Sequence, residues 1–118
     1  MVERIASIYN VEDLNFQLPT WYIVLMSQTH EKIFDFEEGK YLHLWPLPEV
    51  AGINQDYDAD ENYPGFFLIG TYGIGEACAI ETETGNIYTI PFIGDIPDNA
   101  TYIGSTLEDL LVYLQDPW

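Results

Sequence analysis

Residues 66–93 have the sequence FFLIGTYGIGEACAIETETGNIYTIPFI, which is the pattern of three β-strands joined by two tight turns. The first strand, residues 66–69, is wholly apolar, as is typical of a strand that is buried on both faces. Glycines mark the first turn, and Thr-Gly-Asn at residues 84–86 marks the second. The segment therefore predicts a meander of adjacent β-strands.

The second strand of the meander, predicted over residues 76–82, has small side chains on one of its faces. Cys78 and Ile80 share one face, and Ala77 and Ala79 lie on the other. Small side chains let a bulky element approach the backbone of a sheet closely. We therefore expect a bulky element, with a helix the first choice, to pack against the alanine face.

The flanking sequence predicts further helices and strands. Pro19 is well placed to begin a helix, and the alternation that ends at Trp45 predicts a half-buried strand. Ser105 and Glu108 have the spacing of a capping box at the start of a last helix. The remaining predicted helices cover residues 1–9, 20–29 and 49–55, and the further strands cover residues 32–36, 41–45 and 101–103.

The meander and its flanks resemble the SUKH superfamily, which unites bacterial toxin-immunity proteins with fungal regulators of cell-wall glucan synthesis. The resemblance covers residues 18–114 and rests on IGTYGIGE at 69–76, GNIY at 85–88, PFI at 91–93, STLEDLL at 105–111, and an earlier LP at 18–19 and WPL at 45–47. Tyr72 stands where the family usually has Asp, and Ile74 stands where it usually has Gly. The landmarks that the resemblance assigns to the fold are Trp45, Gly70, Gly73, Gly75, Glu76 and Pro91.

The resemblance implies an α+β, SUKH-like fold. We expect a mainly antiparallel, twisted sheet of about four to six strands packed with about three or four helices. The length of 118 residues is enough for one domain with its own core, so we expect residues 1–118 to form a single domain.

Charge narrows the choice of partners. The chain has 20 acidic and 3 basic side chains, a formal net charge of −17, and all three basic residues, Arg4, Lys32 and Lys40, precede residue 41. Such a surface repels nucleic acid and anionic lipid, and it attracts a basic protein. The alternative interpretation is that the acidity only keeps an aromatic-rich protein soluble.

The sequence gives no sign of a disulfide, a leader or a membrane span. Cys78 is the single cysteine, and its position among small apolar residues predicts a buried, unreactive thiol. No signal-peptide pattern and no apolar run of membrane-spanning length is visible in these residues. A cytoplasmic protein is therefore expected.

Three candidate sites for chemistry do not meet the requirements of their motifs. Gly70, Gly73 and Gly75 have the wrong order for a dinucleotide fingerprint, and a strand follows where a helix is needed. Asp56, Asp58 and Asp60 begin like a calcium loop, but Glu61 and Phe67 occupy the positions that require Gly and a bidentate Glu. His30 and His43 have no second ligand at metal-binding spacing. We therefore expect no cofactor, no metal site and no enzymatic activity.

The sequence instead predicts a protein-binding module. Residues 56–65 are the most acidic segment and are expected to form an exposed loop. The resemblance implies an immunity protein that neutralises a cognate toxin of the nuclease type, or alternatively a regulator or scaffold like those of glucan synthesis. The predicted partner-binding residues are Asp56, Tyr57, Asp58, Asp60, Glu61 and Tyr63, with Glu37, Glu38, Asp95 and Asp98 as second choices.

Overall fold

A computed structural model of the chain describes residues 16–73, 75–92 and 100–117, apart from the side chain of Asp60. The helix predicted over residues 1–9 lies outside the described residues. In chain order the elements are α1 (Thr20–Ser27), β1 (Lys32–Asp35), β2 (Tyr41–Leu44), α2 (Leu47–Asp56), α3 (Ala59–Asn62), β3 (Phe66–Thr71), β4 (Glu76–Glu81), β5 (Ile87–Pro91), β6 (Thr101–Gly104) and α4 (Leu107–Gln115).

The six strands form one antiparallel sheet in the order β1-β2-β3-β4-β5-β6, so each strand pairs with its neighbour in sequence. The sheet is curled, and helices pack against it. This architecture confirms the predicted α+β fold class. It also confirms the meander, because β3, β4 and β5 are the three strands expected in residues 66–93.

The sheet has two buried faces. On the face that we call the α1/α4 face, Phe67, Ile69, Cys78, Ile80 and Ile87 pack with apolar residues of α1 and α4. On the other, which we call the α3 face, Leu68, Ala77, Ala79 and Ile90 pack with Ala59 and Tyr63. Strand β3 contributes to both clusters, which confirms that it is buried on both sides.

The alanines of β4 do make room for a bulky element, as expected. That element is the single helical turn of α3 together with the ring of Tyr63. The hydroxyl of Tyr63 donates a hydrogen bond of 3.1 Å to the carbonyl of Phe92. Tyr63 therefore links the end of α3 to the residue that follows β5.

Helix α2 reaches the sheet through one buried amide. The side chain of Asn54 donates to the carbonyl of Leu68 at 2.9 Å and accepts from the N–H of Leu68 at 2.8 Å. A residue of an adjacent strand would bond both backbone groups in the same way. Asn54 thus takes the place of a strand residue, and it satisfies backbone groups that would be costly to bury unpaired.

The family landmarks in the β3–β4 hairpin have two different roles. Gly73 and Gly75 have φ of 79° and 82°, which are positive backbone angles that glycine adopts without steric cost. Gly70 is different, because a Cβ atom there would meet the backbone of His43 in β2. Glycine is needed at position 70 because the backbones of β2 and β3 lie close together there.

Tyr72, one of the two departures from the family pattern, points into the core and is 2% exposed. The hydroxyl of Thr89 donates to the hydroxyl of Tyr72 at 2.9 Å and lies 3.3 Å from the hydroxyl of Tyr113. The rings of Tyr72 and Tyr113 meet edge to face, with centroids 6.1 Å apart. The larger side chain is therefore accommodated by a buried polar network of β5 and α4.

The capping box of the last helix is one residue later than predicted. Thr106, not Ser105, is the N-cap, and its side chain accepts from the N–H of Asp109. The carboxylate of Asp109 in turn accepts from the N–H groups of Ser105 and Thr106. Glu108, the predicted partner, is exposed in the first turn, so the prediction of the residues was wrong although the motif is present.

The other end of α4 is closed by the β1–β2 turn. The amine of Lys40 donates to the carbonyls of Tyr113 and Asp116 at 3.0 and 2.6 Å, and the N–H of Lys40 donates to the carbonyl of Leu114. The amine also lies 4.1 Å from the centroid of the Tyr113 ring. Lysine near the last carbonyls of a helix is favourable because those carbonyls carry partial negative charge.

Candidate partner-binding surface

The acidic side chains of residues 56–65 all lie within residues 56–61, which we call the acidic segment. This segment runs from the end of α2 into α3, so the expectation of a loop over residues 56–65 was wrong in part. Asp56 ends α2, and Asp58 has a left-handed backbone with φ of 50° just before α3. A single left-handed residue turns the chain sharply between the two helices. The side chains of Asp56, Asp58 and Glu61 are all exposed, as predicted.

Tyr57 is the exposed aromatic residue of the acidic segment. Its side chain is 41% exposed, and its ring stacks on Phe92 with centroids 5.4 Å apart. The amide of Asn62 donates to the carbonyl of Tyr57 at 2.8 Å, which holds the backbone of the turn. Tyr57 therefore presents a ring to solvent that is already fixed in position.

Tyr63 was predicted as a second exposed aromatic residue, and its predicted exposure was wrong. It is 6% exposed, because the ring lies over the alanines of β4 and the hydroxyl reaches the carbonyl of Phe92. Burial raises the pKa of Tyr63, and the neighbouring Tyr57 acts in the same direction. We assign Tyr63 to the support of the acidic segment.

Of the second-choice residues, the structure describes Glu37 and Glu38. Glu37 and Glu38 are exposed in the β1–β2 turn, next to the turn residues that close α4. Asp95 and Asp98 lie outside the described residues, as does the side chain of Asp60.

The folded chain removes positive charge from its surface. Among the described residues, no carboxylate is buried, whereas Lys40 is 4% exposed beneath the end of α4. Burial lowers the pKa of Lys40, and the Asp116 carboxylate acts in the opposite direction. Lys32 is half-buried, with its amine 5.3 Å from the centroid of the Phe34 ring. The described surface is therefore more uniformly negative than the count of charges indicates.

Cys78 and His43, two residues that could have supported chemistry, lie in different surroundings. Cys78 is fully buried, and burial raises the pKa of its thiol to about 12, so it lacks the depressed pKa of a reactive cysteine. His43 pairs with Glu31, with Nε2 and Oε2 2.6 Å apart. Within the described part of the chain, no three His, Cys, Asp or Glu side chains are grouped so that they could hold a metal ion.

One exposed patch, centred on Ile33 of β1, was not predicted from the sequence. Ile33 pairs with His43, His43 pairs with Thr71, and Thr71 pairs with Ala77 on the α3 face. Side chains of directly paired residues lie on the same face of a sheet, so Ile33 and His43 also lie on the α3 face. Ile33 is 48% exposed. The signal in the sequence was the alternation of Glu31, Ile33 and Asp35, in which an apolar side chain shares a face with two carboxylates.

Together, the fold and this surface define a class of small acidic α+β proteins built on a six-stranded antiparallel meander. The chain belongs to the SMI1/KNR4 family (SUKH-1), whose profile matches residues 11–112. The match confirms the resemblance to the SUKH superfamily that was based on the meander and its flanks. A search of curated proteins gave no match. Over the described ranges, no helix has the length and apolar character needed to span a bilayer.

Proposed function

We propose that this chain is a cytoplasmic immunity protein that binds and neutralises a basic toxin of the nuclease type. The observation that carries the proposal is the distribution of charge: in the described residues every carboxylate is at least partly exposed, while Lys40 is buried beneath α4. Membership of the SUKH-1 family supports a protein partner.

The proposed mechanism is occupation of a basic groove. A nuclease needs a positively charged surface to hold phosphates, and an acidic protein of complementary shape competes for that surface without any chemistry. Asp56, Asp58 and Glu61 would contact the basic side chains of the groove. Tyr57 would supply the aromatic contact, since its ring is exposed and already held against Phe92.

The test begins with a pull-down from native lysate at low and then moderate salt, with mass spectrometry of the retained proteins. The proposal predicts one basic polypeptide that salt releases, because electrostatic attraction between exposed charges is screened. Expression of that polypeptide alone should then be toxic, and co-expression with this chain should restore growth.

Two results would contradict the proposal. Recovery of envelope-synthesis proteins would favour the alternative, a regulator or scaffold of the kind that the same superfamily contains. Recovery of a basic protein whose toxicity this chain does not relieve would show binding without immunity.

A further inference from the structure

Strand β1 is an edge of the sheet as far as the structure describes the chain, and within residues 16–73, 75–92 and 100–117 no strand pairs with its outer side. The N–H of Phe36 donates to the carbonyl of Lys40, so this pair belongs to the hydrogen-bonded set of the β1–β2 ladder. Such pairs alternate along an antiparallel ladder, and the backbone groups of Ile33 and Asp35 therefore point away from β2. Neither residue has another backbone hydrogen bond within the described chain.

The side chains along this edge alternate in character on the α3 face. Ile33 is 48% exposed, and Asp35, two residues further on, is exposed on the same side of the strand. The carboxylate of Glu31 lies on this face too, because it is hydrogen-bonded to His43. The edge thus presents a carboxylate, an apolar side chain and a second carboxylate in succession.

The one cation of the strand does not interrupt this pattern. Lys32 pairs with Leu44, which packs in the α1/α4 cluster, and its amine lies near the ring of Phe34. Edge strands are commonly protected from pairing by a charged residue that blocks the edge. Here the exposed centre of the edge is Ile33, which is apolar.

We propose that the free edge of β1 receives an extended segment of a basic protein partner as an additional strand. The segment would pair with the backbone of Ile33 and Asp35 and would place basic, apolar and basic side chains next to Glu31, Ile33 and Asp35. A second copy of this chain fits the edge poorly, since its own carboxylates would face like charges. The inference rests on the proposed protein-binding function, and it adds a surface distinct from the acidic segment.

The test uses the full chain and a synthetic peptide in which lysine and valine alternate, with a glutamate and valine peptide as the control. Amide hydrogen exchange is followed by NMR at low salt. Bound basic peptide should slow amide exchange at Ile33 and Asp35 by at least about tenfold, because these N–H groups gain acceptors. The exchange rates of Lys32 and Phe34 should not change, because their N–H groups already bond to β2. The acidic peptide should have no effect.

A pair of variants separates backbone pairing from side-chain contact. Ile33→Pro removes the outward N–H and leaves the ladder to β2 intact, so it should weaken peptide binding about fivefold to tenfold relative to Ile33→Val. Equal affinities of the two variants would overturn the inference. So would protection of Ile33 and Asp35 that grows with protein concentration in the absence of peptide, which would identify a second copy at the edge.

The outcome also separates this inference from the proposed function. If the bound peptide slows amide exchange only at Tyr57, Asp58 and Glu61, the β1 site is overturned. Partner binding by the acidic segment is then left intact. No binding of the basic peptide at low salt would overturn the β1 site, while the pull-down would still decide the proposed function independently.

Discussion

At the scale of single residues, the backbone angle of a glycine determines whether its replacement by alanine raises or lowers the free energy of unfolding. Gly75 has φ of 82°, and a Cβ atom at this position would have no neighbouring atom within 4 Å, so its requirement is conformational only. Gly52 lies within helix α2, and a Cβ atom there would also meet no atom within 4 Å. The two positions therefore form a matched pair in which only the backbone conformation differs.

We predict that Gly75→Ala lowers the free energy of unfolding by about 1 kcal/mol, because an L-residue is strained at this angle. Gly52→Ala should raise it by about 0.5–1 kcal/mol, because alanine favours a helix over the unfolded chain. Urea denaturation of both variants measures the difference. Effects of the same sign would contradict the assigned hairpin geometry.

At the scale of elements, helix α4 is capped at its N-terminal end by Thr106 and Asp109, which are local in sequence, and at its C-terminal end by Lys40, which is not. Lys40 is more than seventy residues away in sequence from the carbonyls that it bonds. Replacing Lys40 with Met keeps much of the apolar contact with Tyr113 and removes the charged donor. We expect Lys40→Met to lower the free energy of unfolding by about 1–3 kcal/mol.

Lys32→Met is the control for this prediction, because it makes the same change in net charge at a half-buried position of β1. Its effect should be within about 0.5 kcal/mol. Equal losses in the two variants would show that Lys40 acts only through the overall charge and not through α4.

The N-terminal end of α4 gives a prediction about pH. Hydrogen bonds from the Ser105 N–H, and then from Thr106, lower the pKa of Asp109 in the folded protein. A carboxyl group with a lowered folded pKa adds stability above its unfolded pKa, and this stability is lost as the pH falls through the folded value. Asp109→Asn should therefore be most destabilising near neutral pH and less so in acid.

Urea denaturation of Asp109→Asn and of Glu108→Gln, from neutral pH down into acid, checks the prediction. Glu108 is the matched control, since it lies in the same first turn and is not the capping partner. A pH-independent loss in Asp109→Asn, or an equal loss in Glu108→Gln, would contradict the capping role of Asp109.

The sequence predicted the elements better than the contacts between them. Apolar runs, alternation and turn residues are local signals, and they were sufficient for β3, β4, β5 and the last helix. The burial of Tyr63 could not be predicted in this way, because its partner Phe92 is 29 residues further along the chain. The same reason applies to Lys40, whose burial depends on the distant end of α4.

At the scale of the whole molecule, the proposed function depends on charge that the fold leaves on the surface. The acidic segment was predicted from composition, and the structure adds that Asp56, Asp58 and Glu61 are exposed and that the ring of Tyr57 is held against Phe92. Composition could not indicate that Lys40 is withdrawn from the surface. Both features favour rapid, salt-sensitive association with a basic protein.

The association rate with the partner recovered by pull-down tests the proposed function most directly. Asp56→Asn, Asp58→Asn and Glu61→Gln together remove three charges from the acidic segment, and Glu49→Gln, Glu83→Gln and Glu108→Gln remove three exposed charges elsewhere. Asparagine tolerates the left-handed backbone at position 58, so the first set should keep its fold. We predict that this set lowers the association rate about tenfold at low salt and that the control set lowers it less than about twofold. Equal effects of the two sets, or no effect of either, would contradict binding through the acidic segment.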